Sequence, residues 1–314
     1  EELKMNSNQQ VTTVDRRALL AAGGSLAALA VSSASIEGAF AQATPPAPTA
    51  PPGAPAPGKV TIERLSGGVL LIGIDRPHTN NRVDPPILIG LGKAYYQLDH
   101  DDSLRVAVLH GIGPDFVVGL DVPAFAAATA AGTLPPKDAD FINPLNLAQP
   151  RAKPVVVAIQ GATNSVGHEL ALAADVRIAA SDSQFAQLEV TNAVFPAGGA
   201  TVRFTREAGW GNAMRYMLTG DKFSAEEAYR LGLVQEVTPV GKQLDRATDI
   251  AKKIASLAPL GVQTVLASAH QAVASEDAAL QALQPQFQKL LRSDDAKEAR
   301  AAQQEHRTPI YQGH

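Results

Sequence analysis

The stretch KPVVVAIQGATNSVGHELALAADVRI, residues 153–178, decides the fold class. Residues 154–159 form a continuous apolar run rich in valine, which fits a strand buried on both faces. Gly161 punctuates its end. Residues 169–174 predict a short helix, and residues 175–178 return to strand. Strand, helix and strand in so short a span indicate α/β architecture.

The flanks repeat that alternation. Residues 60–64 alternate apolar and polar as a half-buried strand does, and residues 69–74 follow Gly67-Gly68 as the second arm of a hairpin. Residues 85–97 have helical spacing, residues 105–109 predict a buried strand, and residues 121–131 a helix. From Gly199 the chain turns mainly helical, with a short strand expected near residues 233–237.

Composition bounds the chemistry. Hydrophobic residues make up 45% of 314, enough for a sizeable core, and the net charge of −4 gives no basic excess for nucleic acid. The absence of cysteine removes disulfides, thiolate nucleophiles and cysteine-based metal sites together. No His/Asp/Glu spacing suggests a metal, no Walker loop is present, and no local signature builds a Ser-His-Asp triad.

The N-terminus reads as an address. Arg16-Arg17 is followed at once by an apolar run rich in Ala, Leu, Gly and Ser, and small residues surround Phe40 near its end. This resembles a twin-arginine export signal, which implies a periplasmic or exported protein where the signal is used and a cytoplasmic one otherwise. The run is too short and too weakly apolar for a stable membrane span. Expected boundaries are a tag remnant and signal segment over 1–43, a Pro/Ala-rich linker over 44–58, a core over 59–258, and a helical oligomerisation region over 259–314.

Seven segments stand in a telling order: Arg76-Pro77, Phe116-Val117-Val118-Gly119-Leu120-Asp121, the Lys153-Pro154 strand to Gly161, Gly167-His168-Glu169-Leu170, Phe185-Ala186-Gln187-Leu188-Glu189, Leu218-Thr219-Gly220, and residues 225–234. In content and in order they resemble the crotonase (enoyl-CoA hydratase/isomerase) superfamily. The resemblance implies a ClpP/crotonase-like fold of repeated ββα units with a helical C-terminal region. It implies a small-molecule acyl-thioester substrate that carries CoA, no tightly bound cofactor, no metal, and a homotrimer or hexamer. Residues 257–291 suit either an interface or an intrachain layer.

Carried over by position, the resemblance makes the N–H groups of Leu120 and Val166 an oxyanion hole. Glu169 becomes the base that activates water, and Glu189 the acid that protonates the α-carbon. His78, Arg82, Gly119, Gly167 and His168 are secondary substrate-binding candidates. Taken alone, Glu169 reads as a surface or capping residue, Glu189 as a solvated one, and His168 as a neutral structural histidine. Asp121 reads as a helix N-cap, Asp175 as structural, and Arg177 as a strand-end or interface charge.

This chain also departs from the family pattern. Asn164-Ser165-Val166-Gly167 keeps one glycine where several are usual, and Val122-Pro123 lacks the usual basic residue. Three functions stay open: an enoyl-CoA hydratase or isomerase, an exported CoA-independent hydrolase cleaving a C–C bond of a β-diketone, and a non-catalytic binding protein of the same fold.

Overall fold

The computed structural model describes residues 55–314, apart from 135, 137, 138, 148 and 149. The expected signal segment and most of the expected linker lie outside the described residues. Strand β1 (Lys59–Leu65) and strand β2 (Val69–Asp75) form an antiparallel hairpin in which Lys59 faces Asp75 and Leu65 faces Val69. Gly67 and Gly68 make the turn at φ values of 80° and 82°, a region that suits glycine.

Helix α1 (Pro85–His100) follows. Asp84 caps it by accepting from the Ile87 N–H at 3.0 Å, and Pro85 and Pro86 occupy positions where a missing N–H is harmless. The chain continues through β3 (Val106–Gly111), α2 (Val122–Ala130), β4 (Val155–Ile159) and β5 (Ala162–Asn164). Helix α3 (Val166–Leu172), β6 (Val176–Ala180) and β7 (Gln184–Ala186) come next. They are followed by α4 (Ala200–Ala208), α5 (Trp210–Met217), β8 (Phe223–Ser224), α6 (Ala225–Arg230) and β9 (Glu236–Thr238). Four helices close the chain: α7 (Gln243–Ala255), α8 (Pro259–Ala274), α9 (Glu276–Leu291) and α10 (Asp294–Gln304).

Six strands make the main sheet in the order β1-β2-β3-β4-β6-β9, and every pairing after the hairpin is parallel. Parallel strands covered on both faces need apolar side chains on both, which explains the unbroken Val155-Val156-Val157-Ala158-Ile159 run. One face carries Val156, Ala158 and Ile178 against Ala247 and Ala251 of α7. The other carries Leu70, Ile72, Leu109, Val155 and Val157 into the larger core with α1, α3 and α4.

A second sheet, β5-β7-β8, was not foreseen from the sequence. Its strands are two or three residues long, too short for period-two alternation to register. The short helix begins at Val166 rather than Glu169, and the last strand lies at Glu236–Thr238. Both shifts are boundary effects: the first turn Val166-Gly167-His168 has no apolar periodicity to announce it.

Candidate active site

Two turns are pressed together beside the second sheet. Val117 bridges Thr163, and its carbonyl accepts the Asn164 N–H at 2.9 Å. Gly167, the second residue of α3, lies so close that a Cβ there would collide with the Val117 carbonyl. This brings residues 117–120 against residues 164–167. Among the described residues, the N–H groups of Leu120 and Val166 meet no backbone acceptor outside helices and strands. Val166 opens α3, so it has no intrahelical partner either. Gly119 reaches a φ of 136° ahead of Leu120, which side-chain-bearing residues rarely adopt.

The Leu120 turn is held from behind. Val83 donates to the Gly119 carbonyl at 2.9 Å, and Asp121 donates back to Val83 at 2.8 Å. Asp121 also caps α2 through the Ala124 N–H and pairs with Arg76 at 2.8 Å. Arg76 is buried, and its Nε lies 3.4 Å from Asp84. Asn81 is fully buried and accepts from the Arg76 N–H while donating to the Ile112 and Asp115 carbonyls. Asn81 was not singled out by sequence reading, because an asparagine in a loop carries no signal of burial.

Glu169 sits in the first turn of α3 and is only 4% exposed. It is therefore neither a surface residue nor a cap for its own helix. Its Oε1 accepts the Ala200 N–H at 3.2 Å, so it stands at the N-terminus of α4, where partial positive charge collects. Gly198 leaves room for the carboxylate; a Cβ at that position would overlap Oε2. Burial pushes the Glu169 carboxyl up to about 7, the Ala200 N–H opposes the rise, and the charge of Glu189 adds to it. Gly198 was visible in the sequence only as a glycine pair without a nucleotide-binding pattern.

Glu189 opens a 3₁₀ turn, Glu189–Asn192, immediately after β7. It is half-buried rather than solvated, and its Oε2 has no hydrogen-bond partner among the described residues. Burial raises its carboxyl above the ordinary range, while its own N–H and the Ser165 hydroxyl pull it down. The tertiary fold thus gathers two carboxyls twenty residues apart, both raised by burial, and the charge of Glu189 is felt at Glu169. Such pairs mark sites where acid and base roles can separate.

The secondary candidates divide. His168 does not line this site: it is 1% exposed, ringed by Phe185, Phe204 and Phe223, and bonded through Nδ1 to Gln187 at 3.2 Å. Burial, with Arg177 nearby, lowers its pKa to about 3, so it is a neutral core histidine and its substrate-binding assignment is withdrawn. Gly167 serves close backbone packing. His78 is exposed with Nε2 near the Ala56 carbonyl, and Arg82 is exposed with Nη1 within 3.9 Å of where a Gly119 Cβ would lie. Arg177 is no interface charge: it is buried, pairs with Glu207, and donates to the Leu233 and Ala174 carbonyls. Asp175 accepts from Val155 N–H and pairs with Arg151, a structural role. Among the described residues, no cluster of His, Asp and Glu could hold a metal, and no helix is long and apolar enough to cross a membrane.

The family profile described as enoyl-CoA hydratase/isomerase matches residues 64–314. The chain belongs to the enoyl-CoA hydratase/isomerase family. A crystal structure of a probable enoyl-CoA hydratase/isomerase from Mycobacterium abscessus is 45% identical and superposes with a TM-score of 0.78, covering 82% of this chain and 99% of that one. The (E)-benzylidenesuccinyl-CoA hydratase of Thauera aromatica is 34% identical over 265 residues, 81% of this chain and 99% of the relative. The 2,3-dehydroadipyl-CoA hydratase of Escherichia coli is 31% identical over 251 residues, 78% of this chain and 95% of the relative. The fold is accordingly the crotonase fold, with β4-β5-α3 as a strand-strand-helix unit and a helical C-terminal region.

Proposed function

We propose that this family member adds water across the double bond of an enoyl-CoA thioester, or runs the reverse reaction or a related isomerisation. The observation that carries the reading is the pair Glu169 and Glu189, both raised by burial, beside a turn that leaves the Leu120 and Val166 N–H groups unpaired. Glu169 takes a proton from water, and the hydroxide oxygen bonds to the β-carbon. The π electrons move to the thioester oxygen, where the two N–H groups stabilise the enolate; one such donor is worth roughly 3–4 kcal/mol. The enolate then collapses, and its α-carbon takes the proton of Glu189. A base near neutrality is well matched to accept a proton at physiological pH, and a carboxyl raised above its usual range suits an acid.

Val190, Val194 and Phe195 are exposed on the segment between the second glutamate and Gly198, which favours an apolar acyl group. Arg82 and His78, both exposed, are the side chains assigned to a CoA phosphate. The exposed side chains of Val265, Val273, Leu280, Leu283 and Phe287 on α8 and α9 support a trimer or hexamer built through residues 259–314. A monomer by light scattering at micromolar concentration would reject that assembly. Residues 1–43 are assigned to export, and a reporter fusion that stays cytoplasmic would reject the assignment.

The deciding experiment is calorimetric titration of an enoyl-CoA into the protein, followed by its conjugated enoyl absorbance. Saturable binding and loss of absorbance that vanishes in Glu189→Gln are expected. A folded protein that does not bind the thioester would overturn the reading and favour the CoA-independent β-diketone hydrolase.

A further inference from the structure

Arg203 is half-buried, and none of its side-chain hydrogen bonds among the described residues goes to a carboxylate. Its guanidinium grips three main-chain carbonyls instead. Nη1 donates to Gly198 at 3.2 Å, and Nη2 donates to Leu145 at 2.7 Å and to Asn146 at 2.9 Å. Two successive carbonyls thus converge on one nitrogen. Asn146 makes this turn at a φ of 54°, in the left-handed region that asparagine tolerates better than most residues. Side chains of the same loop hold it: Asn146 Oδ1 accepts the Arg151 N–H at 3.1 Å, and Asn143 Oδ1 accepts the Leu145 N–H at 2.9 Å.

The other end of the grip is the seat of Glu169. Arg203 lies in the first turn of α4, and Ala200, the first residue of that helix, donates its N–H to Glu169 Oε1. The guanidinium folds back over the N-cap Gly199, where a Cβ would collide with Nη1. Gly198 stands between the two charges. Its carbonyl is held by Arg203, and a Cβ on it would overlap Glu169 Oε2. A cation so near a helix N-terminus opposes the macrodipole, and Arg151 and Arg206 add like charge, so the stability of α4 does not account for it. Glu207, the acid on the same helix, is already paired with Arg177.

We propose that Arg203 is a positioning residue for Glu169: its guanidinium pins the Gly198 turn, where the carboxylate sits, to the 145–146 loop, and its charge favours the ionised base. The inference rests on the hydratase reading for its catalytic consequence, but the seat itself does not. The charged groups acting on Glu169 are Glu189, from the turn after β7, and Arg203 of α4; the N–H groups of Ala200 and Gly198 act with Arg203. Around Arg203 itself stand Arg151, Arg206, Glu169 and Glu207. Without the guanidinium, the turn loses its tie to the loop and the carboxylate loses its cation, so the protonated form of Glu169 gains.

The test uses the full chain with Arg203→Gln, which removes both charge and fork, and Arg203→Lys, which keeps the charge and loses the fork. Both should lower kcat on an enoyl-CoA with KM little changed, Arg203→Gln by about tenfold and Arg203→Lys by less, because a base out of place slows chemistry and not binding. In Arg203→Gln the acid limb of the kcat/KM–pH profile, where Glu169 must lose its proton, should move to higher pH; in Arg203→Lys it should stay. Wild-type kcat in either folded variant would overturn the proposal, even beside a lowered urea midpoint, since Arg203 would then brace the fold alone. A ¹³C carboxyl titration assigned through Glu169→Gln reads the seat with no substrate: the Glu169 signal should titrate at higher pH in Arg203→Gln than in the wild type. An unmoved signal sinks the Arg203 role, whereas a moved signal in a protein that does not hydrate enoyl-CoA sinks only the hydratase reading.

Discussion

Replacing Glu169 by glutamine should change how the fold answers to pH as well as whether it turns over. Burial lifts this carboxyl from 4.5 to about 7. An acid raised in the folded state contributes stability that is complete below pH 4.5 and is lost as pH rises to about 7. At roughly 1.36 kcal/mol per unit, the loss is about 3 kcal/mol. His168 works in the opposite sense. Its pKa falls from 6.5 to about 3, so its stability is present above pH 6.5 and is lost as pH falls toward 3. Both side chains are nearly inaccessible, at 4% and 1% exposure, so solvent screening does not erase either effect. Between pH 4.5 and 6.5 the two slopes offset each other in the wild type. Glu169→Gln removes one and keeps an oxygen for the Ala200 N–H. Its stability should therefore climb with pH across that window by about 1.4 kcal/mol per unit relative to the wild type. Urea midpoints followed by far-UV circular dichroism at fixed protein concentration measure this directly. Wild-type and variant midpoints that run parallel from pH 4.5 to 6.5 would refute the burial of an elevated carboxyl at this position.

Further outcomes follow from the same geometry. Gly198→Ala has an ordinary φ to adopt, so it should fold, but its methyl displaces the Glu169 carboxylate and should lower kcat about a hundredfold in the enoyl-absorbance assay. Asn81→Ala strips partners from the buried Arg76 N–H and two partly buried carbonyls and should destabilise by about 2–4 kcal/mol in urea unfolding. Because Asn81 braces the Leu120 turn rather than touching substrate, residual activity should track the folded fraction. Arg177→Met leaves Glu207 without its ion partner and should cost about 3 kcal/mol at neutral pH, easing as pH falls because desolvation raises the partly buried Glu207 carboxyl and it protonates readily.

The α/β class, the hairpin at Gly67-Gly68 and the valine-rich central strand were legible because each rests on local chemistry. A turn needs φ values that glycine supplies, and a strand covered on both faces must be apolar throughout. The two glutamates were located through motif order, since neither carries a local mark of burial. His168 shows the limit of helical-wheel reasoning: its neutrality was expected, but only the aromatic ring of Phe185, Phe204 and Phe223 places it in the core.

What the sequence determined by itself is the set of elements and their order, because propensity, periodicity and turn chemistry act between near neighbours in the chain. What only the tertiary structure decided is the electrostatics of the site. Glu169 is raised by burial and answered by an N–H from a helix thirty-one residues away, Glu189 by burial and a serine hydroxyl from another segment. Desolvation and hydrogen bonding depend on which distant groups exclude water from a carboxyl, and that is a property of packing.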